Sequence, residues 1–451
     1  MILSLCACAS NWVRTTSGHS NLYTEINDIN VFSRGDFRVA VLLPLTGEFA
    51  KQGNGLKNAT MMALEDVNDD HLVLQYYDTK GTPEGASIAV TNALNQDAQL
   101  IIGPMLSTSV QAIAPAAKRK GVPVIAFTST SDVLQEGVYT MGLLLDEQVD
   151  RIMTYAARHN RSRFALLVPD NTTGIASARA ALKSAVKNNV SVTAIGFYKP
   201  GTTDFTDLLR KMTRYDARTA QLEQEQRKYS SAAANGDANA IRMMNKLKKL
   251  DSYGDIGFDA VLIPDGGASL KSAVAMFGYY DVFSPEVKFI GTSIWDSTPL
   301  NKESTMRGSW YPALTNQNSA HFTDKYAQIF GEKPSSLYAF GYNAVALASA
   351  ISRNGTDNLD SKIVNPEGYL GVNGVFRFFA NGFNQHSLDI KEVQSNGNYV
   401  VEAGVRKFGF DYGISHNSPL SGVRPTIYGK NQNTAEALIY GATYTSGGQA
   451  Y

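Results

Sequence analysis

Between Arg38 and Asp132, short strand-like runs alternate with helix-like runs, and few architectures can accommodate that alternation. Arg38-Val-Ala-Val-Leu-Leu-Pro-Leu-Thr46 reads as a strand running into Gly47, and a helical pattern follows over 53–68. Leu72–Asp78 reads as the second strand, with a helix over 84–95 after it. Leu100-Ile-Ile-Gly103 is the third and ends in Pro104-Met-Leu-Ser107; after a helix over 108–120, the fourth runs from Val122 to Ala126 and ends in Phe127-Thr-Ser-Thr-Ser131. These runs are apolar and β-branched throughout. Strands covered on both faces in a parallel sheet read this way, whereas a half-solvated antiparallel sheet alternates apolar with polar. Small and hydroxyl residues gather where the strands end, the edge at which open α/β sheets bind ligands.

At 451 residues the chain is long enough for two or three domains of about 150 residues each. Lys+Arg and Asp+Glu both number 41, so no global charge points to nucleic acid. No apolar run approaches the roughly 20 residues that span a bilayer. The only cysteines are Cys6 and Cys8, so the body beyond them has neither a disulfide nor a thiolate metal site. His19, His71, His159, His321, His386 and His416 are scattered without the His-x-x-x-His spacing of a metal pair. No Gly-x-Ser-x-Gly elbow or Walker loop occurs. The expectation is a protein without catalytic residues, metal or cofactor.

Residues 1–36 read as a short apolar tip and a polar tether. The first α/β lobe occupies 37–146, with a crossing near Leu143–Asp146. A second alternating run follows: a helix over 147–160, the strand Phe164–Val168 ending in Pro169-Asp-Asn-Thr-Thr-Gly174, a helix over 175–188 and a strand from Val190 to Tyr198. From 214 to 250 the chain is polar and helix-prone, broken at Asn235-Gly236, and reads as an inserted helical hairpin. Its second arm carries Arg242, Lys246, Lys248 and Lys249, more often a solvated face than a docking surface. Alternation resumes at Phe258–Pro264 and Lys288–Gly291. The first lobe is expected to regain 311–368, with helices over 319–330 and 337–352. The second is expected to hold 147–310 and 369–403, the latter with Tyr369–Phe379 and Ser387–Val393 as a hairpin about a glycine turn. The tail, 404–451, lacks a core pattern and is expected to be flexible.

Leu5-Cys6-Ala7-Cys8 resembles the end of a bacterial lipoprotein signal. It predicts acylation of Cys8, a lipid anchor to a membrane and, with Ala9 following, sorting to an outer membrane.

The body resembles the type I periplasmic binding proteins of the leucine/isoleucine/valine-binding branch. The matching residues are Val41-Leu-Leu-Pro-Leu-Thr-Gly47, Ile101-Ile-Gly-Pro-Met-Leu-Ser107, Gly121-Val-Pro-Val-Ile-Ala126, Pro334–Val345 and Gly371-Val-Asn-Gly-Val-Phe-Arg-Phe378, covering roughly 37–402. Gly291-Thr-Ser-Ile-Trp-Asp296 and Arg307-Gly-Ser-Trp-Tyr-Pro312 look like a narrower branch, the lipoproteins that activate penicillin-binding proteins. The resemblance implies an α/β fold of two Rossmann-like lobes with parallel sheets, joined by a multi-strand hinge and closing on a small ligand.

By position, Ser107, Thr128 and Thr130 match the family's carboxylate binders, although serine and threonine there also serve as caps and turn residues. Asp296 lies closest to the acidic position that holds an ammonium group, and Asp265 is the other candidate. Trp295 intervenes and could fill the pocket. Asn171 and Thr172 stand where the family often has Tyr. Two roles compete for a periplasmic, non-enzymatic protein. The favoured one is an activator of peptidoglycan synthases, with a penicillin-binding protein as partner. The alternative is capture of a small amino-acid-like ligand for an ABC permease. An enzyme on the same architecture is the least favoured class.

Overall fold

The computed structural model of the protein describes residues 12–14, 35–315, 319–353, 355–409 and 424–440. These divide into two compact units. The first takes the described residues within Met1–Leu144, Leu314–Ser387 and Gly404–Gly413; the second takes those within Leu145–Ala313, Leu388–Ala403 and Ile414–Tyr451. Among the described residues, two core clusters lie in the first unit and two in the second.

The first unit is built on a six-stranded sheet in the order Trp12–Arg14, Leu72–Asp78, Phe37–Leu43, Leu100–Ile102, Val124–Ala126, Val138–Thr140. All neighbours are parallel except Trp12–Arg14, which runs antiparallel to Leu72–Asp78. Residues 12–14, expected to be tether, thus add an edge strand. The strand Phe37–Leu43 shows why the runs are continuously apolar. Phe37, Val39, Val41 and Leu43 join one core cluster, with helices Ala50–Val67 and Ser336–Ser352. Ala40 and Leu42 join another, with helices Pro83–Asn95 and Ser107–Lys120. Side chains alternate across a strand with period two, and here both faces are covered.

The second unit repeats this logic in an eight-stranded sheet, ordered Gly397–Glu402, Leu388–Gln394, Trp310–Leu314, Lys288–Ile290, Ala260–Leu262, Arg163–Pro169, Ser191–Tyr198, Thr426–Tyr428. Ala165 and Leu167 face one cluster, Phe164, Leu166 and Val168 the other. The insertion is a pair of helices, Tyr215–Ala234 and Ala238–Leu247, joined through Asn235 and Gly236. The first arm buries only Arg218 and Leu222.

Two expectations need correction. Residues 369–387 belong to the first unit, not the second. There Tyr369–Gly371, Gly374–Phe378 and Asn384–His386 form their own antiparallel sheet. Phe376 and Phe378 enter the first unit's core, and the Asn384 amide donates to the Thr140 and Gly142 carbonyls at 2.7 and 2.8 Å. Leu388–Gln394 therefore does not close that hairpin; it pairs with Gly397–Glu402 in the second sheet. The second correction concerns the tail. Thr426–Tyr428 extends the second sheet, parallel to Ser191–Tyr198 with Thr426 opposite Ala194. The helix Gln432–Tyr440 buries Ala435 and Ile439, and the Arg179 guanidinium donates to the carbonyls of Leu438 and Ile439 at its end. The Gly- and Asn-rich composition hid a short amphipathic helix. Earlier in the tail, Phe408 lies under the Arg377 guanidinium, 4.6 Å from its ring centroid, and the Gly409 carbonyl accepts from Arg377 at 2.8 Å. Cys8 lies outside the described residues.

Candidate functional site

Strand order locates the ligand edge of each sheet. In the first sheet the chain steps from Phe37–Leu43 outward to Leu72–Asp78, then jumps back to Leu100–Ile102 on the other side. In open α/β sheets the loops diverge at such a switch point, and the carboxyl ends there are the ligand edge. Around it lie Leu45 and Thr46, the turn Gly103–Leu106 and the start of helix Ser107–Lys120. Gly103 is required in that turn. It sits at φ +94°, and a Cβ would come 2.1 Å from the Leu42 carbonyl oxygen.

Ser107 is the first residue of its helix, not its cap. The cap position is Leu106, extended and without a side-chain hydrogen bond, so the cap residue itself takes none of the first-turn amides. Thr128 is buried and its hydroxyl accepts from the Thr130 amide at 3.1 Å, a turn that also leaves a hydroxyl proton to donate. Thr130 is exposed and carries no cap bond. The Phe127 amide donates to the Pro104 carbonyl at 2.9 Å, which ties the Thr128 loop to the loop before Ser107.

The sequence reading missed Asp78, which organises this rim. Its carboxylate accepts from the amides of Leu45, Thr46 and Lys80 at 2.9, 3.2 and 2.8 Å, and from the Thr46 hydroxyl at 2.5 Å. Partial burial disfavours the charged form, but the Thr46 hydroxyl and these amides outweigh it and hold the carboxyl below its usual range. An acid ending a strand just before Thr79-Lys80-Gly81 was the available signal.

In the second sheet the jump falls between Arg163–Pro169 and Ala260–Leu262. Asn171 and Asp265 flank it. Asn171 is the cap of helix Thr172–Lys187, its side-chain oxygen accepting from the Gly174 amide at 2.9 Å. Asp265 accepts the Tyr198 hydroxyl at 2.5 Å on one oxygen and its neighbour Gly266's amide at 2.7 Å on the other. Burial, with Asp265 beside it, pushes the Tyr198 phenol far up, so Tyr198 remains a donor at any working pH.

Trp295 is fully buried in the second unit's core, where its indole N–H donates to the Asp265 carbonyl at 2.9 Å. It supports the Asp265 loop from beneath. Gly291 makes room for it: a Cβ there would lie 2.1 Å from the indole ring. Asp296 accepts the Tyr311 hydroxyl at 2.9 Å and the Lys391 ammonium at 2.7 Å. A third rim carboxylate, Asp170, pairs with Lys430 at 2.5 Å. Of these three acids, only Asp265 has no cation beside it among the described residues. Tyr198, Lys391 and Lys430 were not singled out from sequence; each lies far along the chain from the acid it serves. Among the described residues, no group of three His, Cys, Asp or Glu side chains is gathered as for a metal, and no helix is long and apolar enough to cross a membrane.

A sequence model of the periplasmic binding protein family matches residues 36–398. The uncharacterised protein RP748 of Rickettsia prowazekii is 22% identical over 65% of this chain and 84% of its own length. The Leu/Ile/Val-binding protein BraC3 of Rhizobium johnstonii is 23% identical over 40% of this chain, which corresponds to 52% of BraC3. Among solved structures, a putative branched-chain amino acid ABC transporter from Rhodospirillum rubrum aligns with TM-score 0.63 at 15% identity, over 81% of this chain and 100% of that one. The branched-chain amino acid substrate-binding protein LivJ of Streptococcus pneumoniae, in complex with isoleucine, aligns with TM-score 0.53 at 16% identity, over 82% and 99%.

Proposed function

Because the chain belongs to the periplasmic binding protein family, with its type I α/β fold, we propose that it is the solute-capturing component of an ABC importer and that its solute is an amino acid or a close analogue. The partner in this reading is a membrane permease, and the family implies an exported protein. The observation that carries the choice of solute is Asp265. It sits at the second sheet's topological switch point, held in place by Tyr198 and Gly266 and by the Trp295 indole under its backbone, and among the described residues it has no cation paired with it. An anion left uncompensated at a ligand edge suits an ammonium group. Taken by itself, the first unit's rim carries groups of the kind that suit a carboxylate: the Thr128 hydroxyl and the first-turn amides at Ser107. Asp296 suits that role less well, since Lys391 already neutralises it.

Isothermal titration against the standard amino acids tests the reading. At least one should bind, and Asp265→Asn should weaken it by about tenfold or more. No binding by any of them, with the protein folded, would remove the amino-acid reading.

The synthase-activator reading has less support. Its motif residues are engaged inside the second unit. Trp295 is core, and Trp310 donates to Glu392 at 2.9 Å under the Lys288 ammonium. The tail, expected to be flexible, is in part a strand and a helix of the second unit. Co-purification with a penicillin-binding protein would revive it. Acylation of Cys8 is read by mass spectrometry for a diacylglyceryl adduct.

A further inference from the structure

We propose, on the amino-acid reading above, that Lys430 sets the charge selectivity of the second unit's ligand edge: by neutralising Asp170 it turns that edge against solutes with a second cationic group. Asp170 follows the strand Arg163–Pro169, and Asp265 lies just beyond Ala260–Leu262, the neighbour in which Leu262 pairs with Leu166. Tyr198 ties the two acids together. Its carbonyl accepts the Asp170 amide at 2.7 Å, and its hydroxyl donates to Asp265 at 2.5 Å. Two bare carboxylates so placed would suit two ammonium groups, as on lysine. With Lys430 on Asp170 at 2.5 Å, one charge of the pair is cancelled.

The tail delivers this cation through its strand. Thr426–Tyr428 runs parallel to Ser191–Tyr198 with Tyr428 opposite Gly196, so the chain leaves the sheet at the carboxyl edge. Gly429 makes the exit. It sits at φ +74°, and a Cβ there would come 2.0 Å from the Phe197 carbonyl oxygen. Lys430 comes next, its ammonium 5.7 Å from the centroid of the Phe197 ring. The Lys430 side chain is 17% exposed and that of Asp170 38%, so water screens the pair only in part.

Fastening the tail does not account for a cation at this position. Asn431 caps the following helix, its side chain accepting from the Thr434 amide at 3.2 Å. A helix dipole favours anions at that end, so a lysine just before the cap gains nothing from it. Ala435 and Ile439 in the core, and Arg179 at the helix end, already hold the tail.

Isothermal titration on the full chain tests this, with the neutral amino acids compared against lysine and arginine. The wild type should bind a neutral amino acid more tightly than either. Lys430→Met should narrow that gap by about fivefold or more, and less so at high salt. Lys430→Arg should keep the gap, and Lys430→Met/Asp170→Asn should restore it. Asp170→Asn alone leaves the ammonium unpaired and should widen it. A gap unchanged in Lys430→Met, or a narrowing that persists in the double variant, overturns this inference alone. So does a wild type that binds amino acids but none of the neutral ones more tightly than lysine or arginine. A folded wild type that binds no amino acid overturns the amino-acid reading and this inference with it.

Discussion

Asp78 ends its strand with donors from Leu45, Thr46 and Lys80 on a single carboxylate. Asp78→Ala frees three amides at a partly solvated rim, and water replaces part of what is lost. The expected cost is about 1–2 kcal/mol at neutral pH, read from denaturant midpoints. The pH dependence has a definite sign. The folded carboxyl is held below its unfolded value of about 3.9, so its contribution is complete above that pH and fades as pH falls through the folded pKa. The stability gap between wild type and Asp78→Asn should therefore be largest at neutral pH and shrink below about pH 4. A gap that widens on acidification contradicts this. Gly291 gives a second residue-scale prediction. Gly291→Ala drives a Cβ into the Trp295 ring, and overpacking there should cost about 1–3 kcal/mol. Because Trp295 supports the Asp265 loop, ligand affinity should fall along with stability; a variant as stable as wild type would show that the ring has room to move.

The same contrast decides what could be read from the chain alone. Strands such as Phe37–Leu43 and Arg163–Pro169 are legible because both their faces are buried, which leaves an uninterrupted apolar run. Site residues are harder. In sequence Asp296 is the leading candidate and Asp265 the other; what sets them apart in the structure is Lys391, 95 positions away from Asp296. Asn171 is visible as a strand-end polar residue, yet only its bond to Gly174 identifies it as a cap. The helix Gln432–Tyr440 escaped notice because it is short and lies among Gly, Asn and Thr, while its two buried residues gain their meaning from packing on Thr172–Lys187. That packing is testable at the scale of the element. Ile439 is 1% exposed, and Ile439→Ala should lower stability by about 2–4 kcal/mol. An unchanged melting curve would mean that this helix does not belong to the second unit's core.

For the whole molecule, the account rests on a binding edge at the carboxyl ends of each parallel sheet. In the second unit, Asp265 has no cation paired with it among the described residues. The most direct measurement is the melting temperature of the wild type and of Asp265→Asn with each amino acid in turn. A ligand at 100 times its Kd should stabilise the wild type by about 2.7 kcal/mol. The account predicts a clear upward shift for one or a few amino acids and its loss in Asp265→Asn. An equal shift in both proteins would contradict the role given to Asp265.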